Sequence, residues 1–80
     1  MEPKPGRVVL AWPQAVREYR RRRGLAQTEL ARELGIHWQT VSRFERGAYV
    51  PRPGSLLDRT LRAEMVARGI EVEDEQPAIA

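Results

Sequence analysis

A glutamine and an arginine four residues apart, Gln39 and Arg43, are the side chains of this chain best suited to chemistry, and that chemistry is recognition. On a helix this spacing puts them on one face, one turn apart. A carboxamide donates to and accepts from adenine at once, and a guanidinium donates to both major-groove acceptors of guanine, so the pair suits the edges of base pairs. Trp38, Thr40 and Ser42 stand among them. The indole either presses on a thymine methyl or sugar or folds back over the protein, and the two hydroxyls bond a phosphate or base or their own backbone. Catalysis has no comparable set. The acids are scattered, cysteine is absent, one histidine is present and no glycine-rich phosphate loop occurs, so no nucleophile and base can be assembled and no enzyme is expected. His37, with no second histidine or cysteine near it, is not expected to bind metal, and no cofactor is expected.

These residues need a rigid support, and the chain from Gln27 to Arg46 supplies two short helices and a turn. Leu30, Ala31 and Leu34 recur at helical spacing, and Gly35 directly after them can take the left-handed conformation that ends a helix. The chain restarts at about Trp38 and runs to Arg46. Leu34, Ile36, Val41 and Phe44 gather on one inner face, with Ala31 small where the helices meet, which leaves Trp38, Gln39, Ser42, Arg43 and Arg46 outward. A preceding helix is predicted to start with Pro13 in its first position and to run to Arg23, closed by Gly24, with Ala15, Val16 and Tyr19 inside and Arg17, Arg21, Arg22 and Arg23 outside.

Across this region the chain resembles the phage repressor and Cro-like (XRE-type) helix-turn-helix family. The pattern RxxxGLxQxELAxxLGxxxxTVSRxExG is matched by Arg20, Gly24, Leu25, Gln27, Glu29, Leu30, Ala31, Leu34, Gly35, Thr40, Val41, Ser42, Arg43, Glu45 and Gly47. The resemblance covers about residues 13 to 70 and implies a compact all-helical domain that lays its third helix in the major groove. It implies a structural ion pair between Arg20 and Glu45, tying the end of helix 3 to helix 1. It also implies a phosphate contact at Gln27, with Thr28 beside it at the first turn of helix 2. Two departures stand out: the Ser or Thr that usually caps helices 2 and 3 is Ala26 in one and His37 in the other. Ala26 brings no capping oxygen, offset in part by Glu29, and His37 serves as a cap substitute or as a phosphate neighbour.

The charge distribution agrees with a polyanionic partner. Residues 1 to 69 hold 14 bases against 7 acids, while residues 70 to 80 hold 4 acids and no base. A basic body gains from counterion release on double-stranded DNA. After Gly47, the loop AYVPRPG offers Tyr49 and Arg52, with Arg46 before it, to the sugar-phosphate backbone. At 80 residues the chain buries only about 60% of its unfolded surface, and without cysteine it must be held by helix packing. With no apolar run near the roughly 18 residues of a membrane span and no signal-like start, a cytoplasmic, nucleoid-associated protein with no membrane partner is expected.

The fold class expected is all-α, a compact four- to five-helix repressor-like bundle, with short extended segments a further possibility at 7–12 and 70–73. The first of these, RVVLAW, is either a strand that pairs with IEVE or an irregular arm packed on the bundle. The domain is placed at 7–73, behind a flexible leader at 1–6 and ahead of an acidic, disordered tail at 74–80. Ser55 and Asp58 open a last helix over 56–68 that Gly69 can close. Leu57, Leu61 and Met65 form one stripe of it and Leu56, Ala63 and Ala67 another, more apolar surface than one small core needs. Either the helix breaks near Arg62 or one stripe meets a second copy; the second copy is favoured, with Leu57, Leu61, Met65, Ile70 and Val72 at a homodimer interface of a sequence-specific repressor reading an inverted repeat. The rival reading is an antitoxin or adaptor that docks a protein partner such as a toxin.

Overall fold

The computed structural model describes residues 6–73, which form four helices and two short strands in the order β1 (Val8–Leu10), α1 (Trp12–Arg23), α2 (Gln27–Leu34), α3 (Trp38–Arg46), α4 (Leu56–Val66) and β2 (Ile70–Val72). Of the leader and tail expected at 1–6 and 74–80, all but Gly6 lies outside the described residues.

The three central helices begin and end where residue type dictates. Ala31 and Arg32 carbonyls accept the Gly35 amide, and the Ala31 carbonyl also accepts the Ile36 amide at 3.0 Å. This closure requires a left-handed residue, and Gly35 sits at φ +70°. The turn it makes brings α3 against α2. Leu30, Ala31, Val41 and Phe44 become core, while Leu34 and Ile36 pack half-buried against them. α1 adds Trp12, Ala15, Val16 and Tyr19 from the other side, and the Trp12 and Phe44 rings meet edge to face at 5.3 Å.

The two strands correct the all-α expectation. β1 and β2 pair in parallel, with Val8 opposite Ile70 and Leu10 opposite Val72. Four helices separate the strands in sequence, so the pairing closes the two ends of the domain on each other. Both segments are shorter than expected: Trp12, placed in the extended run, is the first residue of α1, and Pro13 follows it inside the first turn. α4 ends at Val66 and not at Arg68, and a turn over 67–69 leads into β2.

The interface expected on α4 and β2 is corrected as well. Leu61, Met65 and Ile70 are fully buried within the single chain, and Leu57 and Val72 pack half-buried on the same core. Their stripe points inward because β2 lies along α1 and α4 and completes the core from below. The large apolar side chains left outside on α4 are Leu56 and Val66.

Candidate nucleic-acid interface

α3 is built so that one side is held and the other offered. Val41 and Phe44 anchor it in the core, while Trp38, Gln39, Arg43 and Arg46 are exposed and Thr40 and Ser42 are half-buried. His37 starts the helix: its Nδ1 accepts the Gln39 backbone amide at 3.1 Å, taking over the work of the missing hydroxyl. That bond uses the ring nitrogen lone pair as a cap. The Trp38 ring stacks on the His37 imidazole at 5.9 Å, so the indole stays at the surface and does not fold back over the bundle.

The far end of α3 is clamped. Glu45 is buried and receives Arg20 in a two-bond fork, Nε to Oε2 at 2.7 Å and Nη2 to Oε1 at 3.0 Å. The same guanidinium donates to the Leu25 carbonyl at 3.1 Å, crossing the turn between α1 and α2. Burial by itself raises the Glu45 pKa, but the bonds from Arg20 and Gln27 outweigh it and hold the carboxyl below its ordinary range. Arg20 is raised in return, chiefly through its bond to Glu45. Three helices thus share one carboxylate, because α1 brings Arg20, α2 brings Gln27 and α3 brings Glu45.

Gln27 accordingly has a different place from the one expected. Its Nε2 donates to Glu45 Oε1 at 3.0 Å, which makes its side chain part of the clamp. The Gln27 and Thr28 backbone amides, at the open first turn of α2, have no partner among the described residues and are the groups there able to meet an anion. Ala26 lacks a capping oxygen, and Glu29 Oε1 accepts the Ala26 amide at 2.7 Å, satisfying one of the groups a full capping box would. Arg17 lies outside as expected, and from there it donates to the Glu45 backbone carbonyl at 2.9 Å and so caps the end of α3. The signal was its position one turn before Arg20, on the same side of α1.

The loop after α3 is tied down from both sides. Tyr49 lays its ring flat on Phe44 at 5.7 Å with the other face open to solvent. Asp58, buried, accepts the Gly54 amide at 2.9 Å and Arg62 Nε at 2.8 Å, and its own amide is capped by Ser55 Oγ at 3.2 Å. Burial raises the Asp58 pKa, but these two donors bring it below its ordinary value. Arg52 is held at the surface of this loop, beyond buried Pro51.

The distribution of ion pairs could not be read from charge counts. The run from Arg20 to Arg23 is engaged by carboxylates of the protein itself: Arg20 by Glu45, Arg21 and Arg22 both by Glu18, and Arg23 by Glu33. Arg22 also donates to the Arg68 carbonyl at 2.6 Å, and Arg7, Arg17 and Arg68 each meet a carboxylate. Among the described residues, Arg32, Arg43, Arg46, Arg52 and Arg59 have no carboxylate partner. Three of those five, Arg43, Arg46 and Arg52, lie on α3 or the loop that follows it. The helix that carries Gln39 and the loop after it therefore hold most of the arginines that have no carboxylate partner among the described residues.

No group of three or more metal-ligating side chains occurs among the described residues, and no helix among them is long and apolar enough to cross a membrane. A family model described as helix-turn-helix matches residues 16–58, from the inner face of α1 through the cap of α4. No curated protein and no solved structure matches the chain.

Proposed function

The chain belongs to the XRE-type helix-turn-helix family of DNA-binding regulators, and from that premise we propose that it is a sequence-specific reader of double-stranded DNA acting as a homodimeric repressor. The observation that carries the reading is the outer face of α3, where Gln39 and Arg43 stand exposed one turn apart, flanked by the unpaired Arg46 and Arg52.

In this reading α3 lies in the major groove. Gln39 addresses adenine, Arg43 addresses guanine, and the indole of Trp38, held by His37, contacts a thymine methyl or sugar. Thr40 and Ser42, half-buried at the edges of the helix, reach the base or phosphate nearest to them. The phosphate contacts come from the Gln27 and Thr28 amides on one side and from Arg46, Tyr49 and Arg52 on the other, fixing the register without reading sequence. The Arg20, Glu45 and Gln27 cluster touches no base. It holds α3 at a set angle to α1 and α2, which turns flexible side chains into a preorganised reader. Two copies would place their α3 helices about 34 Å apart and read an inverted repeat, and occupancy of that site would exclude polymerase.

Selection of bound sequences from a random duplex pool tests the reading. A palindromic consensus with purines opposite Gln39 and Arg43 is expected, and equal retention of all sequences would refute it.

A further inference from the structure

Among the described residues, nothing pairs with the backbone along the outer edge of β1. The Val8 amide donates to the Gly69 carbonyl at 2.9 Å and the Leu10 carbonyl accepts the Glu73 amide at 2.7 Å, so Val8 and Leu10 turn their polar groups toward β2. A strand alternates, which directs the Val9 N–H and C=O to the opposite edge. No described residue pairs with either group there. β2 is the more covered strand, lying along α1 and α4 with Ile70 fully buried. The Val9 side chain is 58% exposed on the face away from the core, and Gly6, Arg7 and Ala11 around it are exposed too.

At three residues β1 is short, which limits its exposed edge, but Val8, Val9 and Leu10 include no lysine, proline or inward charge to blunt it further. The geometry points to a second copy of this chain as the occupant: we propose that two protomers join β1 to β1, antiparallel about a two-fold axis at Val9, into one sheet ordered β2-β1-β1-β2. The edge is self-complementary in that register. Val9 exchanges both backbone bonds with its own counterpart, and Arg7 falls opposite Ala11. The Ala11 amide then donates to the Arg7 carbonyl, and the Ala11 carbonyl keeps its bond to the Ala15 amide at 2.8 Å. No like charges oppose one another. Arg7 is neutralised by Glu71 at 3.1 Å on its own sheet, and the two exposed Val9 side chains meet on the outer face. This inference takes its two copies from the homodimer read above and moves their contact from α4 to the sheet.

The absence of cysteine makes the test direct. Residues exchanging both bonds across an antiparallel pair have Cα atoms about 5.5 Å apart, within disulfide reach. A Val9→Cys variant should cross-link to a covalent dimer on mild oxidation, whereas Val66→Cys, at the exposed end of α4, should stay monomeric on the same gel. Val9→Pro removes an amide that β2 does not use, so the native ladder is kept while the contact is lost. Its mass in sedimentation equilibrium should be half that of the parent chain, with unchanged far-UV circular dichroism and retained binding to a single half-site duplex. A parent chain that is monomeric across the concentration series, a Val66→Cys dimer without a Val9→Cys dimer, or a Val9→Pro dimer each overturns the proposal. A dimer cross-linked through Val9 that shows no sequence preference on DNA would uphold this interface while refuting the DNA reading.

Discussion

Neutralising Glu45 is the perturbation that most directly probes how this domain holds its reading helix. Glu45→Gln keeps the shape of the side chain and removes its charge, leaving Arg20 forked onto a neutral amide that can accept at only one of its two atoms. Glu45 is 5% exposed, so water cannot replace what is lost on its side. Breaking one partner of a buried pair costs about 3–5 kcal/mol. The Arg20 side chain is 26% exposed and can recover part of its solvation, which brings the expected loss to the lower end, about 3 kcal/mol. Against a total stability on the order of 4–12 kcal/mol for a domain of this length, that is a large fraction. The melting temperature should fall by roughly 12–24 °C at about 4–8 °C per kcal/mol. Urea denaturation followed by circular dichroism measures the change, and a cycle of Arg20→Met, Glu45→Met and the double variant Arg20→Met/Glu45→Met measures the coupling of the pair. Because the cost of the single change lies in a stranded charge, the double variant should be more stable than Glu45→Gln alone. Losses that simply add, or a single variant within about 0.5 kcal/mol of the parent, would refute the clamp.

The remaining predictions concern DNA and pH. Arg43→Ala should relax base preference by about 1–3 kcal/mol at one position of the selected site, measured by competition among single-base variants. Arg46→Ala or Arg52→Ala should weaken all sequences alike and reduce the slope of log affinity against log salt by about 1 each, whereas Arg22→Ala, whose guanidinium serves Glu18 and the Arg68 carbonyl, should lower stability and leave that slope nearly unchanged. Glu18, Glu45 and Asp58 all have pKa values lowered in the folded protein, so each contributes stability that is complete above the ordinary carboxylate range. That contribution should decline as pH drops past 4.5 for the glutamates and 3.8 for the aspartate and continue toward their lower folded values. Glu45→Gln should flatten this acid limb, and an unaltered limb in urea titrations at successive pH values would contradict the burial argument.

Much of the helical frame was legible in the residues themselves because its determinants are local. Gly24, Gly35 and Gly47 mark the ends of α1, α2 and α3, and the spacing of Val41 and Phe44 assigns the inner face of α3, leaving Gln39 and Arg43 outside. These are relations over three or four residues, governed by backbone sterics and helical periodicity. What only the tertiary structure decided involves partners distant in the chain. The side-chain bond from Gln27 joins residues 18 apart, and Arg22 reaches a carbonyl 46 residues away, so neither allocation can be inferred from neighbours in sequence. The same holds for α4, whose two stripes are both apolar in sequence. Leu61 and Met65 turned inward because β2 covers them, and β2 is there because a parallel pair needs a crossover between its strands, which the four helices supply. RVVLAW and the alternating IEVE were legible as a candidate pair, but the choice between a strand and an irregular arm was made only where chain closure delivers Ile70 to Val72 alongside Val8 to Leu10.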